Sequence, residues 1–359
     1  MHGASVGEMT ALAPFIREAK RRTGRGGILV SSMTVTGKRR AAKLLGLPAV
    51  NLPLDCAPWV RRALATAAPR TVILAETELW PVFIREASRH AKLAWINGRI
   101  SDRSFPRYAM VRPLVREMFS RFSLLCVISR RDAERAIRLG APRSRIRVTG
   151  NLKADLIVPA ARPRGVPGGR WFIAGSTRPG EEESLLAAFA EARRRHPRLR
   201  LCLAPRHLDR VPAVAALAKR AGFRVALRSG GPACARRADI LVLDTHGELA
   251  SFYRLGAAAF VGGTLVPVGG HNVMEPAAAG VPVLFGPFTS NVREEAAGLA
   301  AAGGAFRVTG AASLARELGR LLSSRAYSAR TGKRARSFVR SQQGVARRVV
   351  ALLAREGLL

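Results

Sequence analysis

Short apolar runs alternate with helix-length amphipathic runs from one end of the chain to the other. In the first half, the strand candidates are 27–32, 49–54, 71–76, 92–98, 124–129 and 146–151. Helical patterns lie between most of them, for example from Glu8 to Arg22 and from Pro81 to His90. Because strands that alternate with helices form parallel sheets covered by those helices, the pattern predicts an α/β fold.

The alternation is interrupted at 155–170 by a segment rich in Pro, Gly and Arg, which is typical of a linker. It resumes with strand candidates at 171–176, 199–205, 223–227, 239–244, 257–263, 282–286 and 305–310. We predict doubly wound domains over 1–157 and 171–325, a linker over 158–170, and basic C-terminal helices over 326–359 that could pack back on the N-terminal domain. Ligands of such folds bind at the carboxyl ends of strands, here in the cleft between the domains.

The charge of the chain indicates an anionic partner. Among 359 residues, 60 Lys and Arg face 24 Asp and Glu, a formal net charge of +36. This excess favours nucleic acid, an anionic membrane face or a phosphorylated substrate, although general arginine enrichment of a solvated surface explains part of it. Aromatic residues make up 6% of the chain and no nucleic-acid-binding module is recognisable, so we expect no nucleic acid. No apolar run approaches the roughly 18 residues of a membrane-spanning helix.

A Gly-rich segment late in the chain, 261–287, carries the densest motif. A strand candidate ends in Gly262 and Gly263, and a helix is predicted to begin near Asn272. Free backbone N–H groups and the helix dipole would favour an anion there. Glu275, in the first helical turn, could accept hydrogen bonds from ribose hydroxyls or simply complement the dipole, and the pattern does not separate these roles.

Other loops follow strand candidates of the same half. Ser176 and Thr177 in FIAGSTRPGEEE could donate to a ligand, although a helix cap is the favoured role for Thr177. Arg206 and His207 in APRHLDR stand just past a strand candidate, where a bound phosphate would need them, although a lone arginine there is more often a surface residue. Gly247 and Glu248 in DTHGEL would open a further helix. Together, these loops at one sheet edge predict a nucleotide site.

The first half offers charged candidates as well. Glu76 and Glu78 in ETELWP follow a strand candidate, where burial requires partners, and one of them could be purely structural. Lys153 in GNLKAD could stabilise a departing phosphate or be merely solvated. Ser5 and Glu8 form an S-x-x-E capping box, and the pattern alone favours a cap over acid/base chemistry for Glu8.

The ordered set of HGASVGE, TVTGKRRA, ETELWP, INGRISDRS, GNLKAD, AGSTRPGEEE, APRH, GEL and GGHNVMEPAAAGVPVLFGP strongly resembles one enzyme family over nearly the whole chain. The family is the 3-deoxy-D-manno-octulosonic acid (Kdo) transferases of Gram-negative lipopolysaccharide synthesis. The resemblance implies a GT-B fold of two facing Rossmann-like domains with an interdomain cleft. It also implies CMP-Kdo as donor, the tetraacylated bisphosphorylated disaccharide precursor of lipid A as acceptor, and inversion at the anomeric centre.

The resemblance also implies residue roles. Glu8 matches the general base, which makes catalysis its expected role, and Glu78 and Lys153 match positions that assist the transition state. The expected CMP-Kdo-binding residues are Ser176, Thr177, Pro205, Arg206, His246, Gly247, Glu248, Gly270, Asn272, Val273, Met274 and Glu275. No metal and no cofactor are expected.

The start of the chain departs from the family, whose members usually carry a hydrophobic anchor before this motif, whereas here Met1 directly precedes His2. We therefore expect a truncated first strand, no anchor, and peripheral attachment of the basic surface to the cytoplasmic face of the inner membrane. Two alternatives stay open: another GT-B transferase that uses a UDP-sugar, and a basic non-catalytic protein that binds RNA or anionic lipid.

Overall fold

The computed structural model describes residues 1–23, 27–47 and 49–359. The strands in this part of the chain are β1 (Val30–Ser31), β2 (Ala49–Val50), β3 (Thr71–Ala75), β4 (Lys92–Gly98), β5 (Leu124–Val127), β6 (Ile146–Val148), β7 (Arg170–Thr177), β8 (Leu199–Pro205), β9 (Val225–Leu227), β10 (Ile240–Val242), β11 (Gly256–Val261), β12 (Val283–Phe285) and β13 (Ala305–Arg307). Each predicted strand segment overlaps one of these strands, which confirms the strand pattern.

The helices of the same described residues are α1 (Val6–Thr23), α2 (Val35–Leu45), α3 (Ala57–Ala67), α4 (Pro81–Ala87), α5 (Ser104–Met110), α6 (Arg112–Ser120), α7 (Arg130–Arg138), α8 (Glu182–Arg195), α9 (Val211–Arg220), α10 (Gly231–Arg237), α11 (Leu249–Phe252), α12 (Met274–Ala278), α13 (Arg293–Ala301), α14 (Ala311–Ser323), α15 (Arg325–Gln342) and α16 (Val345–Arg355). None of them is both long enough and apolar enough to span a bilayer.

The chain forms two compact units. The first comprises Met1–Leu156 with Gln342–Leu359, and the second comprises Ile157–Ser341. The basic C-terminal helices, grouped together in the sequence prediction, are divided between the units. Helix α15 packs Ala335 and Val339 into a core of the second unit, whereas α16 contributes its own apolar stripe to the first unit. The division follows from packing, because each helix buries its apolar face against a different core.

In the first unit, the strands β3, β4, β5 and β6 pair in parallel in that order, and β1 pairs with β2. The chain start joins these two groups, since His2 forms parallel bridges to both Ser31 and Leu74. The His2 N–H donates to the Ile73 carbonyl at 2.9 Å, and the Gly3 N–H donates to the Ser31 carbonyl at 3.1 Å. Residues that follow His2 therefore emerge beside residues that follow β3, at the carboxyl edge of the sheet.

Both faces of the first unit's sheet are covered, which explains its continuous apolar strands. Ile73 and Ile96 face the core formed by α1 and α16, where Phe15 is fully buried. Trp95 points to the opposite face, where its ring lies 5.5 Å from that of Phe119 on α6. Neighbouring residues of one strand thus pack into different cores, because successive side chains of a strand point to opposite faces of the sheet.

The second unit contains a parallel sheet in the order β13–β12–β11–β7–β8–β10–β9. Strand β7 is central, with β11 on one side and β8 on the other. Just before β7 ends, Ser176 adopts a left-handed conformation with φ of 57°. Gly262 packs against this bend so closely that an added Cβ would overlap the Ser176 carbonyl. The loops after β11 and β7 are consequently held together at one edge.

Candidate functional site

Glu8 lies in the first turn of α1 and takes part in its cap. Its backbone N–H donates to Ser5 Oγ at 3.3 Å, which confirms the predicted capping pattern. Its carboxylate turns back toward the preceding residues, where Oε2 accepts the Ala4 N–H at 2.6 Å and Oε1 accepts the Ser5 hydroxyl at 3.3 Å. The same residue thus fixes the helix start and presents a half-buried carboxylate at the carboxyl edge of the sheet.

The surroundings of Glu8 make it a stronger base than an ordinary carboxylate. Burial raises the pKa of Glu8, and the negative charges of Glu78 and Glu76 raise it further. The hydrogen bonds from Ala4 and Ser5 only partly oppose this effect. A carboxylate with a raised pKa is suited to accept a proton from a substrate hydroxyl near neutral pH.

Glu78 follows β3 and has the opposite electrostatic character. Burial alone would raise its pKa, but hydrogen bonds from His2 and Trp80 lower the pKa of Glu78 below its usual value. Trp80 Nε1–H donates to Oε2 at 2.9 Å, and His2 Nε2 lies 3.5 Å from the same oxygen. Two neighbouring carboxylates whose pKa values are shifted in opposite directions are typical of a division into a base and a permanently ionised group.

Lys153 is tied to the same cluster through Glu76. Its Nζ lies 3.0 Å from Glu76 Oε1, and Asn97 Nδ2 donates to that oxygen at 3.3 Å. Asn97 is buried and its own Oδ1 accepts the Leu152 N–H at 2.9 Å, which fixes the backbone beside the lysine. Glu76 is thus a partner of Lys153, and the lysine remains about half exposed, at 48%. Glu8, Glu78 and Lys153 all belong to the first unit.

In the second unit, the Gly-rich loop is occupied by a carboxylate of the protein itself. The side chain of Glu181, which is fully buried, accepts the N–H groups of Gly263, Thr264 and Leu265 at 2.8–3.0 Å. It also accepts the Arg178 N–H at 2.9 Å. The N–H groups of residues 263–265 are therefore satisfied within the protein by Glu181, whereas the predicted anion preference concerned the helix start near Asn272.

The helix predicted near Asn272 is also shorter than a typical anion-binding helix. Helix α12 has five residues, and the Met274 N–H donates to Asn272 Oδ1 at 3.0 Å. The Asn272 amide donates to Glu275 Oε1 at 3.0 Å. Burial raises the pKa of Glu275, against the opposing effects of Asn272 and Arg206. Glu275 and Asn272 are thus the polar side chains at this helix start, and they are hydrogen-bonded to each other.

Several predicted donor-binding side chains turn inward. Thr177 is fully buried and its hydroxyl donates to Glu182 Oε1 at 2.8 Å. Its predicted role as a helix cap is wrong, because β7 runs through Thr177 and α8 begins only at Glu182. The side chains of Val273 and Met274 pack in a core, so these residues can offer a ligand only backbone atoms. Pro205 and Gly270 are buried as well.

The remaining predicted residues lie closer to solvent. Arg206, His246 and Gly247 are exposed, and Ser176 is half-buried. Glu248 is engaged by the guanidinium of Arg228, whose Nη2 lies 2.9 Å from Oε1. That bond lowers the pKa of Glu248, so its carboxylate stays ionised and oriented.

Sequence reasoning singled out His207 but missed the cluster that it forms with Arg178 and His271. Arg178 Nε–H donates to His271 Nε2 at 3.1 Å, and Nη1–H donates to His207 Nε2 at 2.8 Å. Burial, and then the charges of Arg178 and Arg206, lower the pKa of His271 to about 4. These residues follow β7, β11 and β8, which are adjacent in the sheet but far apart in the chain. The available signal was the position of Arg178 and His207 just after a strand, whereas His271 lies ten residues beyond the end of β11.

The part of the chain that the structure describes contains no group of three or more His, Cys, Asp or Glu arranged to hold a metal ion.

Solved structures with this fold include UDP-GlcNAc 2-epimerase from Neisseria meningitidis, with a TM-score of 0.68, 11% identity, and coverage of 99% of this chain and 98% of that chain. A glycosyltransferase from Rickettsia africae matches with a TM-score of 0.64, 12% identity, and coverage of 99% and 97%. At these identities the likeness concerns the fold alone. The fold is the GT-B type of glycosyltransferases and related epimerases.

The family follows from sequence comparison. A family model described as 3-deoxy-D-manno-octulosonic-acid transferase (kdotransferase) matches residues 1–156. The 3-deoxy-D-manno-octulosonic acid transferase of Haemophilus influenzae is 32% identical over 365 residues, covering 98% of this chain and 86% of that protein. The protein of the same name from Bordetella pertussis is 30% identical over 371 residues, with coverage of 98% and 86%. The chain belongs to the 3-deoxy-D-manno-octulosonic acid transferase family and is a glycosyltransferase.

Proposed function

We propose that this enzyme transfers Kdo from CMP-Kdo to a hydroxyl of the tetraacylated, bisphosphorylated disaccharide precursor of lipid A, with inversion at the anomeric centre. Membership of the family supports the transferred sugar. The observation that carries the mechanism is Glu8, a half-buried carboxylate whose pKa is raised by burial and by Glu78 and Glu76. It has the properties that a general base for an acceptor hydroxyl requires.

The proposed reaction is a single displacement. Glu8 accepts the proton of the acceptor hydroxyl while that oxygen forms a bond to the anomeric carbon of Kdo. The bond from that carbon to the phosphate oxygen breaks at the same time, and CMP leaves with the electron pair. Attack from the face opposite the leaving group inverts the centre.

Other charged groups assist in the proposed reaction. The permanently ionised Glu78 favours the positive charge that develops on the sugar ring. Lys153, oriented by Glu76 at 3.0 Å, stabilises the negative charge of the departing phosphate. Glu275 and Arg206 are the proposed contacts of the ribose and phosphate of CMP.

A transfer assay tests the function directly. The full chain, incubated with CMP-Kdo and the lipid A precursor, should yield acceptor heavier by the mass of a Kdo residue, detected by mass spectrometry. UDP-N-acetylglucosamine in place of CMP-Kdo should yield no product, and CMP should inhibit transfer more strongly than UDP. Transfer from the UDP-sugar alone, or stronger inhibition by UDP, would replace the proposed donor. Salt-sensitive lipid or RNA binding without any transfer would favour the non-catalytic alternative.

We also propose that the enzyme meets the anionic cytoplasmic face of the inner membrane as a peripheral protein. The net charge of +36 supports this. So does an exposed apolar corner between α5 and α6, formed by Met110, Val111 and Leu114, which are 79%, 48% and 43% exposed. Exposed arginines lie in and beside these two helices: Arg103, Arg107, Arg112 and Arg116. Apolar side chains surrounded by cations suit a headgroup layer of negative charge.

Replacing Met110 and Leu114 together by serine should lower the partition onto phosphatidylglycerol-containing vesicles by about tenfold or more, because two apolar side chains no longer enter the bilayer. Vesicle co-sedimentation measures the change. Val158→Ser, at a residue 74% exposed, is the control and should bind like the wild type. Raised salt should weaken binding of every variant. Unchanged partition of the double variant would show that the apolar corner does not contact the bilayer.

A further inference from the structure

We propose that Arg178 binds the phosphate of the sugar-nucleotide donor and that His207 and His271 are positioning residues that aim its guanidinium. This inference rests on the proposed function for the identity of the donor. It adds one phosphate-binding residue, Arg178, and two positioning residues, His207 and His271, to the predicted donor-binding residues.

The geometry fixes the orientation of Arg178 from two sides. Nε–H donates to His271 Nε2 at 3.1 Å, and Nη1–H donates to His207 Nε2 at 2.8 Å. A guanidinium has five N–H donors in a planar fork, so these two bonds leave the Nη2 edge to bind another acceptor. A fork held in one orientation is well suited to bidentate recognition of a phosphate.

The chemistry of the two partners keeps the positive charge of Arg178 available. Other arginines of this unit are bound by carboxylates: Arg210 donates to Glu182 at 2.8 Å and 3.1 Å, and Arg228 donates to Glu248. Imidazole nitrogens that accept a hydrogen bond are unprotonated and carry no charge, so they orient the guanidinium without cancelling its charge.

The cations around His271 support its acceptor role. Burial, together with the charges of Arg178 and Arg206, lowers the pKa of His271 to about 4, which keeps the imidazole neutral near pH 7. Arg206 is exposed beside the same cluster and provides a second positive charge.

The sheet explains why the three residues meet. Arg178 follows the central strand β7, whereas His271 and His207 come from the loops after its neighbours β11 and β8. The close packing of Gly262 on the bend at Ser176 holds the first two loops together. In open parallel α/β sheets, this carboxyl edge is where phosphates bind.

Calorimetric titration of the full chain with CMP and with cytidine tests the proposal, because the difference between their affinities isolates the phosphate. Arg178→Ala should weaken CMP binding by between about 10-fold and about 100-fold and leave cytidine binding within about twofold. Arg220→Ala removes an exposed arginine of the same unit and is the charge control. Equal losses for CMP and cytidine, or no loss for either, would overturn the assignment.

The positioning role has its own variants. His271→Leu should reduce the difference between the affinities for CMP and cytidine. His271→Gln keeps an acceptor oxygen, so it should retain most of that difference, with an unchanged melting temperature. The same pair of changes at His207 should give the same pattern. Equal behaviour of the Leu and Gln variants would contradict the positioning role.

Titration with uracil nucleotides separates an error in the proposed donor from an error in the role of Arg178. UMP and uridine are titrated in parallel, and a wild-type preference for UMP would overturn CMP-Kdo as donor. In that case, Arg178→Ala should abolish most of the difference between the affinities for UMP and uridine. An unchanged difference would overturn the assignment of Arg178. Absence of binding of both monophosphates to the wild type would overturn both.

Discussion

Replacing Glu8 by glutamine should lower kcat by about 10²- to 10⁴-fold, the usual contribution of a general base, and should leave the affinity for CMP unchanged. The glutamine side-chain oxygen can still accept the Ala4 N–H that Glu8 Oε2 accepts at 2.6 Å, so the helix cap is largely kept. Only the ability to take a proton is lost. Steady-state transfer kinetics and calorimetric titration measure the two quantities.

Ser5→Ala is the matched control for this prediction. It removes the hydroxyl that accepts the Glu8 N–H but keeps the carboxylate. Loss of a cap should cost about 0.5–2 kcal/mol of stability, with turnover close to normal. If Glu8→Gln retained normal turnover, Glu8 would be a capping residue only, as the S-x-x-E pattern alone suggested.

The pH dependence of turnover has a sign that follows from the raised pKa of Glu8. A base works only when it is deprotonated, so activity should fall as the pH drops through the pKa of Glu8. Because burial and the charges of Glu78 and Glu76 raise that pKa, the fall should occur at a higher pH than for an ordinary glutamate. The pH profile of kcat measures this. A kcat that stays constant down to the pKa range of an ordinary glutamate would contradict the prediction.

Glu181→Ala should destabilise the second unit by about 3–5 kcal/mol, because a buried carboxylate that accepts the N–H groups of Gly263, Thr264, Leu265 and Arg178 is removed. The backbone donors lose their partner inside the protein, and the Gly-rich loop loses its anchor. Urea unfolding followed by circular dichroism measures the change in the free energy of unfolding.

Glu183→Ala provides the control two residues away. Glu183 is exposed in the first turn of α8, so its removal should change stability by no more than about 0.5 kcal/mol. The loss of stability in Glu181→Gln should lie between those of the two Ala variants, since the amide oxygen can still accept some of the hydrogen bonds. Equal stability of the Ala variants at 181 and 183 would show that Glu181 does not hold the loop.

Local sequence determined much of this protein. The buried strands are apolar because both faces of their sheets are covered, and runs such as TVILA therefore identify them without tertiary information. The Ser5–Glu8 cap was readable because its partners lie within a few residues of one another. Glu78 and Lys153 were candidates from their positions near predicted strand ends, but nothing local shows that Lys153 pairs with Glu76.

The tertiary structure decided which distant residues meet. Strand order placed Arg178, His207 and His271 on neighbouring loops, although nearly a hundred positions of sequence separate the first from the last. It also placed the buried carboxylate of Glu181 on the N–H groups of residues 263–265 in the Gly-rich loop, a partner that no local pattern indicated. Hydrophobic periodicity reports which face of an element is buried, but not which strand lies beside it. The residues contributed by different strand ends therefore become a site only when the sheet is assembled.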